Sequence, residues 1–196
     1  MAETGVSLGN VNSASTRVTF RALRIGWAWN VRGDATDGRF VATVQRVLAP
    51  LPMRAMTSTR TPDAAMLWLG PRTWLHVGAE SGARRFDDAR RAINAAGGAL
   101  FDVSAGYVGW SIEGAQAARV LNRECPLDLR PGAFPAGHCA QSLLGHTHAL
   151  IHRPRESPAF IVLVGRSFGA DAWHLLQTAA TTEGHVLEAP IEFDAV

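Results

Sequence analysis

The stretch that decides the fold is "LFDVSAGYVGWSIEG", residues 100–114, together with "AQAARVLNREC", residues 115–125. The first part is rich in β-branched and aromatic residues interrupted by glycine, which predicts a β-hairpin. The second part predicts a helix that ends at Pro126, because proline cannot continue a helix. The chain therefore contains a unit made of a hairpin followed by a helix.

The same unit recurs before and after this stretch. Residues 66–78, "MLWLGPRTWLHVG", predict a hairpin that turns at Gly70-Pro71, and the helix after it spans residues 81–98, with Ser81 as its cap. Residues 148–184 predict a third hairpin and helix. A lone amphipathic helix cannot bury its apolar stripe. The sequence therefore predicts an α+β fold in which helices pack on antiparallel sheet in two layers.

The N-terminal part predicts an arm, a strand and a further helix. Residues 1–16 are small and polar without periodicity, so we expect a flexible or partner-docked arm before a single α+β domain over residues 17–196. Ile25, Trp27, Trp29 and Val31 alternate with smaller or polar residues, which is typical of a strand with one bulky face. Asp37 then predicts the N-cap of a helix that ends before Pro50.

The basic residues exclude several enzyme classes. All 19 are arginine, and the chain contains no lysine. A Walker A phosphate loop, a Schiff-base enzyme, a protein kinase and a Ser-x-x-Lys acyl enzyme all require that missing amine. The net charge is only +2 and the arginines are dispersed, so we expect no nucleic-acid partner.

Composition also bears on the compartment of the chain and on whether its surface is covered by partners. It contains no signal peptide pattern and no run of roughly 18 uncharged apolar residues, so we expect a cytoplasmic protein without a membrane span. Charged residues make up 18% of the chain, against roughly 25% in a typical soluble domain, and there are six tryptophans. Two interpretations remain open at this point, a surface covered by partner chains and a compact monomer with a tryptophan-rich core.

Residues 125–139, "CPLDLRPGAFPAGHC", contain both cysteines of the chain. Three prolines and two glycines predict an ordered connector without regular structure. A cytosolic chain is not expected to depend on a disulfide, and Cys125, Cys139 and His138 lack the spacing of a zinc site. Buried, unreactive thiols are the interpretation that we prefer.

Two other patterns are candidates for chemistry. His146, His148 and His152 would share one face of a strand and could bind a metal ion there, although no carboxylate accompanies them. "GRSFG", residues 165–169, matches the G-x-S-x-G nucleophile elbow around Ser167. Only 27 residues follow Gly169, so we expect Ser167 to cap a helix instead.

The central unit resembles the folate-binding domain of the T-protein of the glycine cleavage system. Residues 68–78, "WLGPRTWLHVG", look like the hairpin that precedes this unit in that domain. The stretches "CPLDLRPGAFPAGHCAQSLL" and "VGRSFGADAWHLL" look specifically like the gamma subunit family of heterotetrameric sarcosine oxidases. The residues that carry the T-protein match are Asp102, Val103, Ser104, Gly109, Gly114, Ala117, Val120 and Leu121.

The chain departs from the T-protein pattern where that pattern carries chemistry. T-protein relatives place a carboxylate pair on the third hairpin against the folate, and here the corresponding residues are Gly145, His146, Thr147 and His148. Ala105 stands where relatives commonly have a histidine. The K-G-C signature of the relative that serves iron–sulfur assembly cannot occur without lysine.

The resemblance implies a subunit with no catalytic, cofactor-binding or metal-binding residues of its own. It implies alpha, beta and delta partner subunits that carry FAD, FMN, NAD and tetrahydrofolate, and it allows zinc on the small partner subunit. The complex would convert sarcosine to glycine with hydrogen peroxide and methylenetetrahydrofolate as products. Tryptophan is enriched at interface hot spots, so the interface candidates are Trp27, Trp29, Trp74, Trp110 and Trp173.

Two alternatives remain from other functional classes. A stand-alone folate-binding aminomethyltransferase would need a carboxylate near the pterin, and the nearby acids are Asp102, Glu113 and Asp128. A small hydrolase would use Ser167 as its nucleophile.

Overall fold

The computed structural model describes residues 18–79 and 86–193. The predicted arm and the predicted cap Ser81 lie outside these residues. The strands are β1 (Val18–Arg24), β2 (Trp27–Arg32), β3 (Ser58–Thr61), β4 (Ala64–Gly70), β5 (Thr73–Gly78), β6 (Ala99–Asp102), β7 (Tyr107–Glu113), β8 (His138–Leu144), β9 (Thr147–Arg153), β10 (Ala159–Gly165) and β11 (His185–Glu192). The helices are α1 (Gly38–Val47), α2 (Phe86–Ala95), α3 (Ala117–Glu124) and α4 (Gly169–Ala179).

The strands form two sheets. The five-stranded sheet has the order β3-β4-β5-β2-β6, and the six-stranded sheet has the order β11-β1-β7-β10-β9-β8. The strand pairs are antiparallel except for β1 and β11, which run parallel with Val18 opposite His185. Parallel neighbours require a long connection, and here the rest of the described chain lies between them.

Three apolar clusters hold the layers together. Leu67, Leu75 and Val77 of the five-stranded sheet pack against Ile161 and Leu163 of the six-stranded sheet. The outer face of the five-stranded sheet is covered by α1 and α2, and that of the six-stranded sheet by α3 and α4. The predicted α+β class is confirmed. Each sheet with its helices is one two-layer unit, and the two units stack through their sheets.

The central hairpin prediction is wrong in its pairing. β6 pairs with β2 in one sheet, whereas β7 pairs with β1 and β10 in the other, so residues 103–106 carry the chain across from sheet to sheet. A short 3-10 turn, Ser104–Gly106, makes the crossing. Both strands were predicted correctly, but alternation within a strand does not encode its partner.

The first strand and helix follow the sequence closely. Trp27, Trp29 and Val31 point into the cluster beneath α1 and α2, while Ala28 points to the other sheet. The Asp37 carboxylate accepts hydrogen bonds from the backbone N–H groups of Arg39, at 2.8 Å, and Phe40, at 3.4 Å. The predicted N-cap is confirmed, and the predicted alternation is confirmed for Trp27, Trp29 and Val31. Ile25 was predicted on the same face, but it lies before β2 and packs against the cluster between the sheets.

The connector of residues 125–139 lies across the six-stranded unit and is part of its core. Leu129 and Phe134 are buried in the cluster formed with α3 and α4. The buried guanidinium of Arg153 donates to Phe134 O, at 2.9 Å, and to Glu156 O, at 3.0 Å. The segment therefore supplies apolar side chains to the core of its own domain.

Gly109, in β7, lies close against the neighbouring strand β10 of the same sheet. A Cβ on Gly109 would be 2.5 Å from Leu163 Cδ2 and 2.7 Å from Val162 O, both on the neighbouring strand β10. A Cβ on Gly38, at the start of α1, would have no atom within 4 Å.

We predict that Gly109→Ala lowers the free energy of unfolding by roughly 1–3 kcal/mol, because a fixed backbone oxygen blocks the new methyl group. The matched variant Gly38→Ala should leave stability unchanged or raise it by up to about 1 kcal/mol. Urea denaturation followed by circular dichroism measures both. Equal stabilities of the two variants would contradict the close packing at Gly109.

Candidate interaction surface and the residues predicted to carry chemistry

The D-V-S residues form the turn that starts the crossing between the sheets. The Asp102 carboxylate accepts a hydrogen bond from Ser104 N, at 2.9 Å, and a second from the Ser104 hydroxyl. The Ser104 oxygen accepts from Ala28 N, at 2.9 Å, and Val103 N donates to Ala28 O, at 2.9 Å. Asp102 and Ser104 therefore tie the end of β6 to β2, and this role accounts for both residues.

A cleft of about 390 Å³ opens where this crossing meets β8, β9 and β10. Apolar and backbone groups line most of it, and its larger polar side chains are Tyr107, Gln141 and His148. Burial raises the pKa of Tyr107, so its phenol stays protonated at neutral pH. Gln141 Nε2 donates to Leu69 O, at 2.8 Å. No carboxylate lines the cleft among the described residues.

The other two acids proposed for a folate enzyme are held by arginines. Glu113 accepts from Arg21 Nη1, at 2.8 Å, and from the Ser111 hydroxyl, at 2.7 Å. Asp128 is paired with Arg130, whose hydrogen bonds lower the pKa of that carboxyl to about 2. Neither acid lines the cleft, so the described part of the chain offers it no general acid or base of this kind.

The three candidate metal ligands do not come together. His146 lies in the turn between β8 and β9, His148 is exposed on β9, and His152 is fully buried. His152 Nε2 lies 3.0 Å from Ser58 Oγ, and burial lowers the pKa of His152 to about 3, with a smaller contribution from Arg60. Within residues 18–79 and 86–193 no three metal-ligating side chains form a cluster.

Both cysteines are free and buried, and they belong to different layers. Cys125 packs with α3 and α4, and Cys139 packs between the sheets. Burial raises the pKa of Cys139 to about 12, so the thiol is protonated and is not a nucleophile at neutral pH.

Ser167 occupies a different place from the predicted one. It lies in a 3-10 turn, Arg166–Phe168, and the residue before α4 is Phe168, with no side-chain cap. The prediction that Ser167 caps the helix is therefore wrong, because the extra turn moves the helix start past it. The Ser167 side chain is exposed, and in the described part of the chain no histidine hydrogen-bonds to it.

The five candidate tryptophans separate into two groups. Trp27, Trp29 and Trp74 are buried in the cluster between the five-stranded sheet and its helices. Trp110, on β7, and Trp173, on α4, stack on the outer face of the six-stranded sheet, with ring centroids 5.7 Å apart and an interplanar angle of 14°. Trp173 is half-buried, so this pair reaches the surface.

A groove of about 400 Å³ runs beside that pair, between α4 and the β1–β11 strands. Leu187, on β11, is 54% exposed, and Phe168, just before α4, is 51% exposed. Sequence reasoning missed both residues. The signal for Leu187 was weak, because residues 185–192 do not alternate regularly and contain Pro190.

Within the described ranges, no helix has the length and apolar character needed to cross a bilayer.

The fold is shared with an aminomethyltransferase of the glycine cleavage system. Aminomethyltransferase T of the glycine cleavage system from Bartonella henselae superposes with a TM-score of 0.65 and 11% identity, over 91% of this chain and 49% of that chain. This likeness defines the architecture alone.

Closer relatives define the family. The model of the sarcosine oxidase, gamma subunit family matches residues 32–182. Sarcosine oxidase subunit gamma from Corynebacterium sp. (strain P-1) is 27% identical over 185 residues, which cover 92% of this chain and 84% of the relative. The same subunit from Corynebacterium sp. (strain U-96) is 31% identical over 134 residues, which cover 67% of this chain and 58% of the relative.

A solved structure agrees with the sequence relatives. A chain of the heterotetrameric sarcosine oxidase from Corynebacterium sp. U-96, in complex with pyrrole 2-carboxylate, superposes with a TM-score of 0.80 and 26% identity, over 88% of this chain and 89% of that chain. The chain belongs to the sarcosine oxidase gamma subunit family.

The buried histidines His76 and His152 give the fold a predictable pH dependence. Burial lowers the pKa of each to about 3, so both are neutral in the folded protein near pH 6. Unfolded histidine titrates near pH 6.5, so acid protonates the unfolded chain first and stabilises it. Their contribution to stability is complete above about pH 6.5 and is lost as the pH falls towards 3.

We predict that a fall in pH from 7 to 5.5 lowers the free energy of unfolding by about 1.3 kcal/mol for each of these two histidines. His152→Gln should therefore flatten the pH dependence by about that amount, whereas the exposed control His174→Gln should not change it. Urea titrations at the two pH values test this. An unchanged slope in His152→Gln would mean that His152 has the same pKa in the folded and unfolded chain, which would contradict the effect of burial.

Proposed function

We propose that this chain is the gamma subunit of a cytoplasmic, heterotetrameric, flavin-dependent sarcosine oxidase and acts in it as a scaffold. Alpha, beta and delta subunits would carry FAD, FMN, NAD and tetrahydrofolate, with zinc on the small one. The complex would oxidise sarcosine to glycine, form hydrogen peroxide and pass the methyl carbon to tetrahydrofolate. Family membership and the likeness to a heterotetrameric relative support the assembly.

The observation that carries the scaffold role is the cleft without a carboxylate. Its lining includes Tyr107 and His148 but no acid among the described residues. The candidate acids are engaged elsewhere, Asp102 in the sheet crossing and Glu113 with Arg21. Proton transfer at a folate would need a positioned acid or base. The chain is therefore proposed to have no catalytic residues.

The tryptophans enter this proposal in two roles. Trp110 and Trp173 are the candidates for direct contact with a partner, because their stacked pair reaches the surface beside the groove. Trp27, Trp29 and Trp74 are buried, so they would act by keeping the five-stranded sheet and its helices rigid. Buried Trp74 Nε1 donates to Pro52 O, at 3.1 Å, which fixes its ring.

A stand-alone folate-binding aminomethyltransferase is the second candidate. The fold and the open cleft favour it, since a concave, mostly apolar pocket with a few polar groups is the usual form of a small-molecule site. The missing carboxylate argues against it.

Tetrahydrofolate separates these two functions. For the isolated chain we expect no heat of binding in calorimetry with tetrahydrofolate up to about 1 mM, which corresponds to a binding free energy weaker than about −4 kcal/mol. A dissociation constant in the micromolar range, lost in Tyr107→Phe, would contradict the scaffold role and favour the aminomethyltransferase.

Turnover of the assembled enzyme tests whether the cleft takes part in the reaction of the complex. We predict that Tyr107→Phe/His148→Ala leaves both assembly and the sarcosine-dependent formation of hydrogen peroxide within twofold of wild type. Size-exclusion chromatography is the assembly control. A tenfold loss of turnover in a fully assembled complex would show that this cleft takes part in the reaction.

A further inference from the structure

The six-stranded sheet is wider than the helices that cover it. Its outer face carries α3 and α4, which lie over β8 and β10, and α4 reaches β1 through Trp173, which packs on the buried Phe20. The strand β11 lies at the edge of the sheet, where Leu187 is 54% exposed. Neighbouring strands are about 4.8 Å apart and packed helices about 8–10 Å apart, so one helix covers about two strands. Six strands need three helices, and the described chain supplies two.

The part of this face beside β11 is an apolar groove with the buried Phe20 at its base. Its walls are the Trp110–Trp173 pair on one side and Leu187 on the other, and Phe20 lies between them. Phe20 and Trp173 meet edge to face, with ring centroids 5.5 Å apart. Small residues, Ala22, Gly169 and Ala170, also line the groove and allow another backbone to approach closely. Exposed apolar grooves of this kind mark interaction sites.

The edge of the sheet and the charge of the groove restrict what can fill it. Pro190 lies on β11, the edge strand, and its missing N–H disfavours pairing with an added strand. The acid in the wall, Glu188, is already ion-paired with Arg21. The groove therefore fits the uncharged stripe of a helix that packs on the face of the sheet.

We propose that this groove receives one amphipathic helix from a neighbouring subunit of the oxidase, as the third helix of the layer. The inference rests on the proposed function, because it assumes that the chain has such neighbours. Trp110, Trp173 and Leu187 form the centre of the contact, where burial of aromatic and aliphatic side chains contributes most to binding.

The test uses this chain co-expressed with the other three subunits. Leu187→Glu places a charge in the groove, and Arg90→Glu, on the exposed face of α2 in the other unit, is the control. Both side chains are exposed, so both isolated variants should melt at the wild-type temperature. We expect Leu187→Glu to weaken binding of the other subunits roughly tenfold or more, and Arg90→Glu to stay within twofold.

Photo-crosslinking identifies the occupant. With p-benzoylphenylalanine in place of Leu187, the expected product joins this chain to a segment of another subunit with apolar residues three and four positions apart. Crosslinks to residues 1–17, to a second copy or to an extended segment would overturn the proposal, as would full binding by Leu187→Glu. If the wild-type chain binds none of the other subunits, the proposed function itself fails.

Discussion

The apolar core between the two sheets is the constraint on which the rest of the structure depends. Leu67, Leu75 and Val77 face Ile161 and Leu163 across it, so each sheet has one face buried by the other. Each outer face then needs helices of its own. The five-stranded sheet has α1 and α2, but α3 and α4 leave the β11 edge of the six-stranded sheet exposed. The candidate interaction surface is thus a direct result of the way in which the core is built.

Local features of the sequence predicted the elements but not the way in which they pair. Alternation placed Trp27 and Trp29 on one face of β2, and Asp37 marked the start of α1, because both signals lie within a few residues. The β6–β7 crossing and the β1–β11 pair depend on residues far apart in the chain, such as Val18 and His185. No local pattern reports such contacts.

The candidate site was predictable in its chemistry and not in its geometry. The sequence already showed that the T-protein acids are missing at Gly145–His148, and the structure adds that Asp102 is used in a turn. The six tryptophans look alike in sequence, and only tertiary packing buries Trp74 while leaving Trp173 at the surface. Leu187 lines the groove because β11 pairs with β1 and places Leu187 opposite Phe20, and the sequence did not predict this pairing.

The central claim is that this chain contributes a surface and no chemistry. Hydrogen–deuterium exchange of the chain, alone and in the assembled complex, tests it most directly. We expect assembly to slow exchange most in β11 and around the start of α4. Unchanged exchange there, together with protection of the 103–107 cleft segment when tetrahydrofolate is added to the isolated chain, would contradict it.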